Sequence, residues 1–262
     1  MGRPRLFFLV ALVAALASIP IAFAGAEAPE DPSLSTQMAD LTPVALPAPQ
    51  SPLRSEAPAR PSGALIVRVL EGHGLGLRSR PNGPIVHELG ATTEFGAPQV
   101  LGVVRERGRW LGVTSAGLPN GRLAWVDRNS SSISTSRTQY SIHADLSRRE
   151  VELRRGKRVV RTLSAAVGRP GSPTPTGRFA VTDKLAGPKY SPYYGCCILA
   201  LSATQPNTPV GWTGGNRIAI HGTNSPETIG MAASAGCLRA SDEDLQVLMD
   251  LVPAGTPVII RD

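Results

Sequence analysis

Residues 216–239, NRIAIHGTNSPETIGMAASAGCLR, carry the reading of this chain. Ile218, Ala219 and Ile220 read as a buried strand ending at His221, and a side chain at a strand end is held on a rigid element while it faces open space. Cys237 follows in a run of small residues. A thiol near its free pKa is only slightly ionised at neutral pH, but a neighbouring imidazole can take its proton and leave a thiolate able to attack a carbonyl. Beyond it, SDEDLQVLMDLV (241–252) predicts a helix. Ser241 is its N-cap, Asp244 stands in a capping-box position, and Leu245, Leu248, Met249 and Val252 form one apolar stripe. Pro253 ends the helix, and TPVII (256–260) reads as a closing strand.

Upstream, YSIHADLSRREVELRRGKRVVRTLSAAVG (140–168) contains three alternating apolar and polar runs. They predict a meander, with Val159 and Val160 leading into Leu163. His143 lies inside a strand with no partner in view and reads as a core-edge residue. VGRPGSPTPTGRF (167–179) is a loop stiffened by prolines that leads into the strand FAVTD. Lys184 to Thr213 reads as a long irregular segment carrying Tyr190, Tyr193, Tyr194 and Trp212, aromatics that either line a substrate or pack.

Residues 64–128 break into short β-rich pieces such as ALIVRVL, IVHEL, QVLGVV and WLGVT, which suggest a small barrel or sandwich. Here the tryptophans read as packing residues, and His73 and His87 lack partners at catalytic or metal spacing. The serine-rich stretch Asn129–Ser136 reads as a hinge.

At the start, Arg3 and Arg5 precede an apolar run from Leu6 to Ala24 that closes in Ala22-Phe23-Ala24. This is the pattern of a secretory signal over residues 1–26, with an uncleaved anchor as the alternative. Residues 27–62, rich in Pro, Ala and Ser, form a tether. The net charge of +7 favours an anionic polymer or membrane surface, and no nucleic-acid motif accompanies it. Cys196 and Cys197 lack metal-ligand spacing, and a bond between neighbours would be strained. They read as small core residues or a surface pair, with Cys237 as the unpaired thiol.

Taken together, IAIHGTN (218–224), SAGCLRAS (234–241), the following helix, GTPVII (255–260) and the 167–179 loop resemble the catalytic domain of L,D-transpeptidases, over residues 139–262. GLGLRSRPNG (74–83), Trp110-Leu111 and Ala124-Trp125-Val126 resemble a bacterial SH3-like wall-associated domain, over residues 63–130, with a hinge at 131–138. The implied fold is mainly β: a small SH3-like β-barrel, then an L,D-transpeptidase-type β-sandwich with a short helix after the catalytic cysteine.

The resemblance implies that Cys237 is the nucleophile and His221 the base. The donor would be a peptidoglycan stem tetrapeptide, attacked at the carbonyl of its third residue with loss of the terminal D-alanine. Aminolysis of the resulting thioester gives a 3→3 cross-link; hydrolysis would make the protein an L,D-carboxypeptidase. Backbone groups of Ala235, Gly236 and Gly222 would serve the oxyanion or the imidazole, and Arg239, Trp212 and Tyr190 would meet substrate. Arg239 could instead hold the cysteine turn, or be a surface arginine. No cofactor or metal is implied, and carbapenem β-lactams are the expected inhibitors. Ala235 departs from the family, whose members often carry histidine before Gly-Cys. The base is therefore assigned to His221, and an inert wall-binding module stands as the competing reading. Gly222 replaces a serine found in some members, and its carbonyl can still orient the ring.

Overall fold

The computed structural model describes residues 62–211 and 213–262. The expected signal (1–26), all of the tether but Ser62, and Trp212 lie outside the described residues. Strands β1 (Ala64–Val69), β2 (Leu75–Arg78), β3 (Ile85–Leu89), β4 (Val100–Arg107), β5 (Trp110–Val113), β6 (Ala124–Asp127) and β7 (Ile133–Thr138) form one seven-stranded sheet in the order β3-β2-β6-β5-β4-β1-β7. Alternation along the strands buries Leu65, Val67, Leu77, Leu101, Leu111 and Val126 in a common core. Trp110 and Trp125 are buried, with the guanidinium groups of Arg109 and Arg107 over their rings.

The expected hinge is instead largely strand β7, paired antiparallel with β1 from Ala64↔Thr138 to Val69↔Ile133. As an edge strand it buries only Ile133 and Thr138, so its serine-rich sequence shows no apolar alternation.

The second sheet opens with the meander β8 (Tyr140–Asp145), β9 (Glu150–Arg155) and β10 (Arg158–Ser164), antiparallel as expected. Val159 and Val160 are nevertheless exposed, and Leu163 alone anchors β10 in the core. Then follow β11 (Val167–Gly168), β12 (Gly177–Ala186), β13 (Cys197–Thr204), β14 (Arg217–His221), β15 (Ala232–Ser234), β16 (Leu238–Arg239), helix α1 (Asp242–Leu251) and β17 (Pro257–Arg261). Eight of these strands form a sheet in the order β10-β9-β8-β17-β12-β13-β14-β16, while β11 pairs with β15 in parallel. Strand β13 corrects the reading of residues 184–213 as wholly irregular: CILALSAT is almost entirely buried between β12 and β14. A central strand covered on both faces reads as a continuous apolar run without period-two alternation.

Ser241 caps α1, its Oγ accepting the Asp244 N–H at 3.2 Å. Leu245 and Leu248 seat the helix on the core with Phe179, Leu199, Leu201, Ile220 and Val258. The two sheets meet closely. A Cβ at Gly102 of β4 would lie 2.6 Å from the Ala180 Cβ of β12, and the Asn120 side chain pairs both backbone groups of Thr204, at 2.6 and 3.0 Å. Both sheets belong to one contact unit spanning residues 57–262.

Candidate active site

Parallel pairing of β14 with β16, Ile220↔Leu238 and His221↔Arg239, closes the sequence gap between the histidine and the cysteine. Cys237 then lies beside Ala219: the Ala219 N–H reaches Sγ at 3.4 Å, and Sγ sits 3.9 Å from the Arg217 carbonyl. Cys237 and His221 line one cavity with Tyr190, Tyr193, Tyr194 and Ala235.

His221 is 1% exposed, and its Nδ1 lies 2.6 Å from the Gly222 carbonyl. A carbonyl only accepts, so Nδ1 carries the proton and Nε2 keeps the lone pair a base needs. The rings of Tyr194 and Tyr193 pack on the imidazole at 4.9 and 5.7 Å. Burial pushes the His221 pKa down to about 4; the Gly222 hydrogen bond opposes this and the Arg239 charge adds to it. Cys237 is partly exposed as a residue, but its enclosed thiol is pushed up to about 11 by burial, against the pull of the Ala219 N–H and Arg239. The resting pair is therefore a neutral thiol and a neutral imidazole. Tyr194 is shifted upward as well, by burial first and then by the nearby Cys237 and Tyr193.

The turn before Cys237 is pinned from inside. Ser234 Oγ donates to the Cys237 carbonyl at 2.6 Å and accepts the Gly236 N–H at 3.0 Å. Gly236 was expected to offer its amide to the oxyanion, but that N–H is held by a hydroxyl placed two residues back. Buried Gln205 donates from Nε2 to the carbonyls of Ala235 and Pro173, each at 3.0 Å, and so braces the turn against the proline-stiffened loop. Gly236 has φ +119°, and a Cβ there would lie 2.2 Å from Gln205 Nε2, so this position needs glycine.

Arg239 is buried rather than a surface residue. Its NH1 reaches the Tyr193 hydroxyl at 3.4 Å and its guanidinium lies 5.6 Å from that ring, while its backbone pairs with Ala166 in both directions. Arg239 thus stands behind Tyr193 and outside the cavity lining. Tyr190 lines the cavity and Trp212 lies outside the described residues. Cys196 and Cys197 are joined as a disulfide, contrary to the expectation of two separate side chains, and Cys237 is the free cysteine. The chain around the bonded pair is tied to its surroundings: Asp242 Oδ2 accepts the Cys196 N–H at 3.0 Å, and the Cys197 carbonyl accepts the Gly222 N–H at 3.0 Å.

Tyr193 and Tyr194 were visible in sequence as loop aromatics but carried no sign of stacking on His221. Gln205 and Ser234 gave no sign at all, because their roles depend on turns that meet only in the fold.

Residues 139–260 match the family model described as the L,D-transpeptidase catalytic domain YkuD. Over 122 residues the chain is 33% identical to YkuD of Bacillus subtilis (strain 168), named as an L,D-transpeptidase, covering 47% of this chain and 66% of that protein. It is 34% identical over 120 residues to ErfK/SrfK of Salmonella typhimurium, likewise named, covering 41% and 39%. The chain thus spans 66% or less of the length of these relatives. Among solved structures, L,D-transpeptidase 3 from Mycobacterium tuberculosis in complex with a faropenem-derived adduct aligns at 20% identity and a TM-score of 0.39, over 53% of this chain and 66% of that one. The stretch that matches the L,D-transpeptidase catalytic domain, residues 139–260, holds both Cys237 and His221.

Proposed function

We propose that this chain is an exported L,D-transpeptidase that forms 3→3 peptidoglycan cross-links through a thioester on Cys237. The observation that carries the reading is the shared cavity of Cys237 and His221, with Nδ1 committed to Gly222 so that Nε2 can take a proton. The N-terminal leader pattern supports export.

In the proposed first step the Cys237 proton passes to His221 Nε2 as the sulfur attacks the carbonyl of the third stem residue. Burial keeps the free pair neutral, so proton transfer accompanies attack and does not precede it. The tetrahedral oxygen takes the Cys237 N–H as donor, since the Gly236 N–H is engaged by Ser234. The C–N bond to the terminal D-alanine breaks, and His221 returns the proton to the leaving amine. A side-chain amine of a second stem then attacks the thioester, gives a proton to His221, and releases the sulfur, which recovers that proton.

The test supplies the full chain with a D-alanine-terminated stem tetrapeptide and an excess of an acceptor stem, and identifies products by mass. A cross-linked dimer with one D-alanine released per bond supports transpeptidation. Free tripeptide alone would make the protein a carboxypeptidase, and unchanged substrate would leave a wall-binding module.

A further inference from the structure

The second sheet does not enclose the cavity by itself. Phe95 lies between β3 and β4 of the first sheet, yet it lines the same cavity as Cys237 and His221. The tip that carries it is rigidly built. The Thr93 N–H donates to the Ala97 carbonyl at 2.8 Å, the Gly96 N–H to the Thr93 carbonyl at 3.0 Å, and Thr93 Oγ1 accepts the N–H groups of Phe95 and Ala97, each at 3.3 Å.

This tip is also fastened to the second sheet. Thr93 Oγ1 donates to the buried carboxylate of Asp183, and Glu94 pairs with Arg217. The Arg217 guanidinium lies 5.8 Å from the Phe95 ring, and Phe95 meets Tyr190 edge-on at 6.1 Å and 87°. Arg217 is held in turn by the Leu201 carbonyl, at 3.0 and 2.8 Å, and by Thr182 Oγ1 at 2.6 Å. Its own carbonyl is the one 3.9 Å from the Cys237 sulfur.

We propose that Phe95 is a specificity-determining residue for the acyl donor. With Tyr190 it forms an aromatic rim on which the apolar part of the donor peptide packs while the scissile carbonyl sits at Cys237. The donor site is then shared between the two sheets, and residues 139–260 alone hold an incomplete one. The proposal rests on the transpeptidase reading of the site. A ring that holds the peptide but takes no part in proton or acyl transfer contributes uniform binding, and its loss raises KM without lowering kcat.

The experiment compares the full-length wild type with Phe95→Ala and Phe95→Tyr, following D-alanine release from a stem tetrapeptide. Iodoacetamide alkylation of Cys237, which needs no peptide, serves as a probe of an intact site. Phe95→Ala should raise KM about tenfold, keep kcat within about twofold and leave the alkylation rate unchanged, while Phe95→Tyr stays near wild type. An unchanged KM in Phe95→Ala would overturn the proposal alone. So would a joint fall of kcat and alkylation rate, which would mark Phe95 as structural. Absence of D-alanine release from the wild type would overturn the transpeptidase reading and this inference with it.

Discussion

The Nδ1 of His221 lies 2.6 Å from the carbonyl oxygen of Gly222, the next residue in the chain. Catalytic histidines are commonly oriented by another group, and here the backbone supplies it, so the absence of a side chain at Gly222 costs the ring nothing in orientation. The residue before Gly236-Cys237 is Ala235, and among the described residues lining the cavity His221 supplies the imidazole.

The base assignment is tested directly. His221→Ala should lower the rate of Cys237 acylation by about a hundredfold to ten-thousandfold, the usual worth of a positioned general base, while Ala235→His should change it less than about tenfold. Stopped-flow acylation by a carbapenem measures both. Acylation that survives His221→Ala intact would remove His221 from the base role.

A neutral resting pair has a distinctive pH dependence. With the thiol pKa raised to about 11, alkylation of Cys237 by iodoacetamide, which follows the thiolate fraction, should rise about tenfold per pH unit from pH 7 toward 10. Because the His221 pKa is lowered to about 4, the imidazole is neutral and competent above that value, and carbapenem acylation should stay flat through neutral pH and fall only as pH drops toward 4. An alkylation rate already at its plateau by pH 7 would mean a preformed thiolate–imidazolium pair.

Gln205 should matter out of proportion to its distance from the chemistry. Gln205→Ala removes the hydrogen bonds to the carbonyls of Ala235 and Pro173, a loss of about 0.5–1.5 kcal/mol for each. It also frees the turn that holds Cys237. Thermal denaturation should show lowered stability, and carbapenem acylation should slow about tenfold. A destabilised variant with unchanged acylation would reduce Gln205 to a structural role.

Thiol titration checks the bonded pair. Denatured without reductant the chain should show one reactive thiol, Cys237, and after reduction three, the full cysteine content. The backbone bonds at Cys196 and Cys197 do not depend on the sulfurs, and a disulfide between neighbours closes almost no loop. Reduction should therefore leave carbapenem acylation within about twofold. Three thiols before reduction, or acylation lost on reduction, would contradict this.

The strand that ends at His221, the capped helix and the closing strand were legible because each rests on a local pattern. Ile218 to Ile220 form a continuous apolar run that stops at His221, and Ser241 and Asp244 share a helical turn. What stayed hidden was set by distant partners. Strand β7 is polar because it lies at an edge, and β13 has no alternation because both of its faces are covered. Arg239 is buried because β16 pairs with β14 and Tyr193 covers its guanidinium. Phe95 reaches the cavity only because its tip is clamped to Asp183 and Arg217, contacts that span much of the chain.

The proposed chemistry depends on Cys237 as the acyl-accepting nucleophile. Incubating the full chain with a carbapenem and measuring intact mass, then peptide mass after digestion, tests it most directly. One covalent adduct that maps to Cys237 and disappears in Cys237→Ala is expected. No adduct, or one that persists in Cys237→Ala, would contradict it.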